Sequence, residues 1–224
     1  MQEYVIIVAG GSGSRMKSNI PKQFIPVNGL PILMHTITAF RNYSDTLQII
    51  LVLPEAQFDY WNHLCKTFSF TETYSLVAGG ETRFHSVKNG LDSITATDDA
   101  FVAVHDGVRP MISKEIISES FQNAAQFGTA VVSVPLKDSI RIIENSEKNT
   151  AMDRSAFRLI QTPQTFRIDW MKIAFENPYQ SLFTDCASVL EFQGYQIHLT
   201  EGSYENIKIT TPEDLKRAEI YLKN

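Results

Sequence analysis

The stretch Tyr4-Val5-Ile6-Ile7-Val8-Ala9-Gly10-Gly11-Ser12-Gly13-Ser14-Arg15-Met16 decides the fold. Its first six residues are a continuous apolar run rich in β-branched side chains. That is the pattern of a strand covered on both faces, not of one with a wet side. Gly10, Gly11 and Gly13 follow at once. Glycines directly after a first strand let the backbone approach a bound anion closely and turn free N–H groups toward it.

Reading outward, helical and strand patterns alternate. Pro31 opens a helix carried by Leu33, Ile37 and Phe40 at i, i+4, i+7. Leu47–Leu53 is a second buried-strand run, stopped by Pro54, and Ala56–Phe68 reads as a helix. Tyr74–Ala78 is a short strand before Gly79-Gly80, and Val87, Leu91 and Ile94 have helical spacing. Ala100–His105 is a strand, Ile117, Phe121 and Ala124 mark a helix, and Thr129–Pro135 is a strand again. Such alternation predicts an α/β fold: a mostly parallel twisted sheet with helices on both faces.

The rhythm breaks after Pro135. Residues 137–160 hold two β-like runs around a polar turn, which predicts a projecting β-arm. A lone hairpin needs another surface for its apolar side, so the arm points to a homodimer. The α/β pattern resumes with a strand at Tyr195–Thr200. A last helix opens with Thr211 as N-cap, Pro212 at N1 and acids in its first turn. No linker or repeat interrupts the chain, so residues 1–224 are expected to be one domain with one arm.

Composition narrows the function. At 224 residues the chain suits one large domain, and 11% aromatics exclude a disordered one. Asp and Glu (25) outnumber Lys and Arg (20), giving a net charge of -5. This argues against broad binding to nucleic acid or anionic membrane, but permits a small basic pocket for a phosphorylated ligand. Cys65 and Cys186 make neither a disulfide framework nor metal-finger spacing. No apolar run has signal or membrane-span character, so the cytoplasm is the expected location.

Four stretches can carry chemistry. The first loop continues to Pro21-Lys22-Gln23. It is neither the dinucleotide fingerprint nor a P-loop, because it lacks the third glycine of the one and the Gly-Lys-Ser/Thr ending of the other. It carries Arg15 inside the loop and Lys22 seven residues later. Two cations beside a glycine loop suit a triphosphate that must release pyrophosphate. The competing reading is a plain tight turn with solvated cations. Gly79-Gly80-Glu81-Thr82-Arg83-Phe84-His85-Ser86 offers glycines against a flat base and the Ser86 hydroxyl, or merely a helix start capped by Thr82. In Val104-His105-Asp106-Gly107-Val108-Arg109-Pro110, Asp106 at a strand end can meet Mg²⁺ on phosphates, and Arg109 can grip a phosphate. The alternative is a surface Asp–Arg pair, and His105 reads as structural. Lys208, between Ile207 and Ile209 on a presumed strand, points either into the cleft or to solvent. Cys186 reads as a small buried helix residue, not a nucleophile.

Together the motifs AGGSGSRM, PKQF, GGETRFHSVKNGL, VHDGVRP, KDSI, MDRSAFRLIQTPQTF, TDCASVLE and NIKITTPEDL resemble the 2-C-methyl-D-erythritol 4-phosphate cytidylyltransferases. The resemblance runs from about Val5 to Leu222 and implies a Rossmann-like fold, a homodimer completed by the arm, and CMP transfer from CTP with Mg²⁺. It implies triphosphate contacts from Arg15 and Lys22, and a base-side surface of Ala9, Gly10, Gly11, Gly13, Gly80, Glu81 and Ser86. It puts Asp106 at metal and substrate. It gives the acceptor to Arg109, Ser139, Arg154, Thr162 and Lys208, the arm members reaching the partner's cleft. Ser139, Cys186 and Gly107-Val108 depart from the family's commoner Thr, acid and Ala-Ala. AGGSGSRM and NIKITT also resemble the sister ribitol 5-phosphate cytidylyltransferases, which keeps CDP-ribitol synthesis as an alternative. A glycosyltransferase would want an Asp-x-Asp at the strand end, where Asp106 stands alone. A non-catalytic nucleotide sensor would be expected to lose some of Arg15, Lys22 and Asp106.

Overall fold

The computed structural model describes residues 2–11, 16, 20–96, 99–144 and 148–223. In chain order the elements are β1 (Gln2–Val8), β2 (Pro26–Val27), β3 (Leu30–Pro31), α1 (Ile32–Tyr43), β4 (Gln48–Leu53) and α2 (Phe58–Thr67). Then come β5 (Ser75–Ala78), α3 (Arg83–Asp92), β6 (Ala100–Asp106), α4 (Lys114–Phe127) and β7 (Thr129–Pro135). The rest are β8 (Ile140–Ile143), β9 (Asn149–Met152), β10 (Arg158–Arg167), α5 (Ile168–Ala174), α6 (Cys186–Phe192), β11 (Leu199–Glu201) and α7 (Pro212–Tyr221).

Among the described residues the central sheet has the order β11-β7-β10-β6-β1-β4-β5. β10 runs antiparallel to β6 and β7, and the other pairings are parallel. The apolar run of β1 is explained by its central place. Tyr4 and Ile6 pack with Phe84, Val87 and Leu91 of α3 and with α5 and α6. Val5 and Ile7 pack on the other face with α1, α2 and α4. Side chains alternate faces along a strand, so a strand between two helical layers must be apolar throughout. A smaller cluster joins Val27, Ile32, Val108, Ile209 and Ala218, and so fixes α7 beside the C-terminal end of β6.

Two expectations need correction. The arm is shorter than residues 137–160. Its hairpin pairs Ile140 with Met152 and Ile143 with Asn149. Arg158–Ile160 belongs to the main sheet, because Arg158 pairs with Pro135 and its guanidinium binds the Ser133 hydroxyl and carbonyl. The strand at Tyr195–Thr200 shrinks to Leu199–Glu201. Tyr195 still completes the turn after α6 through its N–H to Leu190 and stacks on Trp170, so ladder pairing starts later. The Thr211 cap stands as expected, with Asp214 accepting the Thr211 N–H at 2.9 Å.

Candidate active site

The C-terminal ends of β1, β5 and β6 open onto one cavity of about 240 Å³. Crevices at the C-terminal ends of parallel strands are where open α/β sheets bind ligands. The lining includes Ala9, Gly10, Gly11, Lys22, Gly80, Glu81, Ser86, Asp106 and Lys208, along with Gln23, Thr82 and Arg83.

One wall is built from two glycine turns. The Ala9 N–H extends the ladder to Val52 O at 2.9 Å, and the Gly79 N–H reaches Leu53 O at 2.8 Å. Gln23 Nε2 clamps the Ala9 carbonyl at 2.8 Å. The Ser86 hydroxyl accepts the Gly80 N–H at 3.1 Å, so it pins the second turn to α3. Thr82 caps α3 by accepting the His85 N–H. A Cβ on Gly80 would lie 2.4 Å from His85 Cβ, which restricts this position to glycine. The result is a stretch of cavity lining where Gly10, Gly11 and Gly80 leave the backbone open to a planar base.

A charge cluster borders the same cavity. Asp106 Oδ2 lies 3.1 Å from Arg109 Nε and 3.1 Å from Lys208 Nζ, and Oδ1 lies 3.8 Å from Arg83 Nε. Burial alone would raise the Asp106 pKa. Lys208, Arg83 and Arg109 outweigh it and hold the carboxyl well below the ordinary carboxylate range. Three cations thus share one buried anion, and an excess of positive charge in an enclosed cleft favours a polyanion. Lys22, on the short helical turn after Pro21, is 9% exposed and donates to Ile209 O at 3.4 Å. Lys208 lies outside any strand and lines the cleft. Its neighbour Ile209 is fastened by an N–H to Val108 O at 2.9 Å.

His105 is fully buried beneath the cluster. Its Nε2 meets the Arg109 carbonyl at 3.1 Å, so that nitrogen carries the hydrogen, and Nδ1 accepts from the Thr162 hydroxyl at 3.1 Å. Burial lowers its pKa from 6.5 to about 4. The unfolded chain protonates this ring below about pH 6.5 while the fold keeps it neutral. Its contribution, on the order of 3 kcal/mol, is complete above about pH 6.5 and is lost as pH falls toward 4. The depressed Asp106 carboxyl adds a loss of the same sign at lower pH. Urea midpoints at pH 7, 5.5 and 4.5 are expected to fall steadily, and His105→Gln should flatten that slope. A wild-type midpoint independent of pH over this range would contradict the assignment.

The family model of 2-C-methyl-D-erythritol 4-phosphate cytidylyltransferase matches residues 4–224. The chain belongs to this cytidylyltransferase family. The enzyme of that name from Bacteroides thetaiotaomicron is 48% identical over 96% of this chain and 97% of its own length. That from Phocaeicola vulgatus is 46% identical over 99% of this chain and 100% of its own. The crystal structure of the Francisella tularensis 2-C-methyl-D-erythritol 4-phosphate cytidylyltransferase superposes with a TM-score of 0.82 at 30% identity, covering 99% of this chain and 100% of that one. The 4-diphosphocytidyl-2C-methyl-D-erythritol synthase from Anaerococcus prevotii gives 0.83 at 27%, covering 100% and 96%.

Of the residues that the cytidylyltransferase resemblance singles out, Arg109 lies directly behind the cleft, through Asp106. Gly13 and Arg15 lie outside the described residues. Ser139 and Arg154 are exposed beside the arm and do not reach the cleft of their own chain; Arg154 Nη1 donates to the Lys137 carbonyl. Thr162, which the resemblance gives to the acceptor, bonds to Asp106 and His105. It is 4% exposed, and its hydroxyl donates to His105 while accepting the Asp106 N–H at 3.1 Å. Its side chain therefore supports Asp106 from within. Arg83 was not among the expected site residues, although it stands in the quoted GGETRF loop. It is the first residue of α3, and its guanidinium also lies 3.4 Å from Cys186 Sγ. Burial pushes the Cys186 thiol up, which agrees with a packing residue and not a nucleophile.

Proposed function

We infer that this chain transfers CMP from CTP to 2-C-methyl-D-erythritol 4-phosphate, releasing pyrophosphate, in isoprenoid precursor synthesis. One observation carries the reading: two glycine turns and a cationic cluster border a single cleft, in a chain matched to the family model from residue 4 to 224. The acceptor phosphate oxygen attacks the α-phosphorus of CTP. One O–P bond forms, the bond to the β-phosphate breaks, and the electron pair leaves on pyrophosphate. The nucleophile is already ionised near pH 7, because the second phosphate pKa is about 6. A general base is therefore not required, and catalysis is positioning plus charge stabilisation.

Lys22, with Arg15, is assigned to the triphosphate. Ala9, Gly10, Gly11, Gly13, Gly80, Glu81 and Ser86 are assigned to the cytidine side. Arg109 and Lys208 are assigned to the acceptor, with Asp106 orienting both. Among the described residues there is no group of three or more His, Cys, Asp or Glu side chains able to hold a metal. A lone carboxylate fits Mg²⁺ that arrives on phosphates, which typically needs only one or two protein carboxylates. Asp106 is then the protein ligand, and the ion supplies charge neutralisation on the triphosphate.

The exposed Ile142, Ile143 and Met152 of the arm, with Phe157, Leu159 and Ile160 behind it, support a homodimer in which Ser139 and Arg154 serve the partner's cleft. Ile143, 68% exposed, is the probe. Ile143→Asp is expected to shift the protein to monomer in sedimentation and to lose turnover with it. A fully active monomer would refute the shared site. Two free cysteines suit the reducing cytoplasm, where we place the enzyme. Among the described residues no helix is long and apolar enough to cross a membrane.

The test of the reaction is pyrophosphate release from CTP and Mg²⁺, with 2-C-methyl-D-erythritol 4-phosphate and ribitol 5-phosphate in parallel. Release with the first alone is expected. Release with ribitol phosphate alone would reassign the acceptor, and CTP binding without release from either would indicate a nucleotide sensor.

A further inference from the structure

We propose that Asn206 is a positioning residue that sets the aim of Arg109 and Lys208 toward the acceptor phosphate; this rests on the acceptor assignment above. Asn206 is fully buried, outside any strand or helix. Its Nδ2 donates to the Thr162 carbonyl at 2.9 Å and to Gln161 Oε1 at 3.2 Å. Its own carbonyl accepts from Arg109 Nη1 at 2.8 Å. The circuit closes through the site. Arg109 Nε binds Asp106 Oδ2 at 3.1 Å, and the Asp106 N–H binds the Thr162 hydroxyl at 3.1 Å. Asn206, Thr162, Asp106 and Arg109 thus form a ring of hydrogen bonds, with Lys208 two residues beyond Asn206 and salt-bridged to the same carboxylate.

Two features separate this from ordinary packing. Residues 206–209 lie outside the sheet; the Ile209 N–H holds their far end to Val108 O, and the Asn206 amide ties their near end to β10. And Asn206 Oδ1 has no hydrogen-bond partner among the described residues. A buried acceptor left unpaired is destabilising, so a side chain selected for stability alone would be apolar here. The donor end is what the position retains. Arg109 depends on this tether because its guanidinium is planar: the Nε bond to Asp106 and the Nη1 bond to the Asn206 carbonyl together fix the plane in which Nη2 presents its hydrogens.

The experiment is steady-state kinetics on Asn206→Asp and Gln161→Met in the full-length chain, with wild type beside them. Asn206→Asp keeps the volume but sets a carboxylate against the Thr162 carbonyl. It is expected to raise KM for 2-C-methyl-D-erythritol 4-phosphate at least tenfold and lower kcat, while KM for CTP stays within twofold. Gln161→Met, which removes one acceptor of the same amide, should shift the acceptor KM in the same direction by a smaller factor. CTP binding by calorimetry checks that each variant is folded. Equal shifts in both KM values, or an unchanged acceptor KM in both variants, would overturn the proposal. Wild type inactive with this acceptor would instead indict the acceptor assignment itself.

Discussion

Lys22→Ala is expected to lower kcat by about 10²–10³, the usual cost of deleting one preorganised group that meets charge developing in a transition state. Lys22 lines the cavity beside Gly11, where a Cβ would come within 3.6 Å of Lys22 Cε. Phe24, two residues on, is in the core cluster with Trp61, and the intervening Gln23 is clamped to Ala9. The backbone is therefore held directly after Lys22, and the side chain, 9% exposed, gives up little further freedom when pyrophosphate charge grows beside it. Most of the effect should appear in kcat, because the leaving group gains charge only as the P–O bond breaks. Lys22→Arg should rescue poorly, since a wider planar fork must enter a space shaped for a compact ammonium. Rates at saturating CTP, with circular dichroism to confirm folding, decide it. Near-normal turnover in the alanine variant would sink the assignment.

Asp106→Asn is the second large effect. It deletes the carboxylate shared by Arg83, Arg109 and Lys208. Removing one partner of a buried charge cluster leaves the others uncompensated, typically at about 3–5 kcal/mol. The turnover is expected to fall at least 10²-fold, for two reasons. Arg109 and Lys208 lose the group that sets their angle, and the unbalanced cations hold anions unproductively. The second reason gives a separate signature: pyrophosphate should become a tighter product inhibitor in Asp106→Asn than in wild type. A variant with wild-type turnover and unchanged pyrophosphate inhibition would show that the cluster is only a structural ion pair.

Much of this arrangement is legible in the chain. The central strands announce themselves because both faces are covered, so no charged residue interrupts Tyr4–Ala9 or Leu47–Leu53, and the polar Gln48 falls at the exposed start of its strand. Thr82 and Thr211 mark helix starts by local hydrogen bonding, which sequence displays directly. Lys208 was undecided on spacing alone, because its direction depends on the Ile209–Val108 bond, a contact between distant segments. Arg83 was overlooked for a similar reason. Its meaning comes from Asp106, which the fold brings over from the next strand. The bonds of the Thr162 hydroxyl to His105 and the Asp106 N–H are equally hidden from spacing. Tertiary hydrogen bonding, unlike periodicity, leaves no local pattern to read.

The contact between Lys22 and Ile209 spans 187 positions. On a ribosome the first glycine turn, β1 and β4 can pair long before residues 206–209 emerge. A nascent chain of this kind forms a sheet able to shelter its core yet has no completed cleft. Contacts of such separation are made late, after the entropy of closing the intervening loop has been spent. Competence for chemistry should therefore lag behind compactness during refolding. The two events can be timed apart by following Trp61 and Trp170 fluorescence alongside recovery of nucleotide turnover.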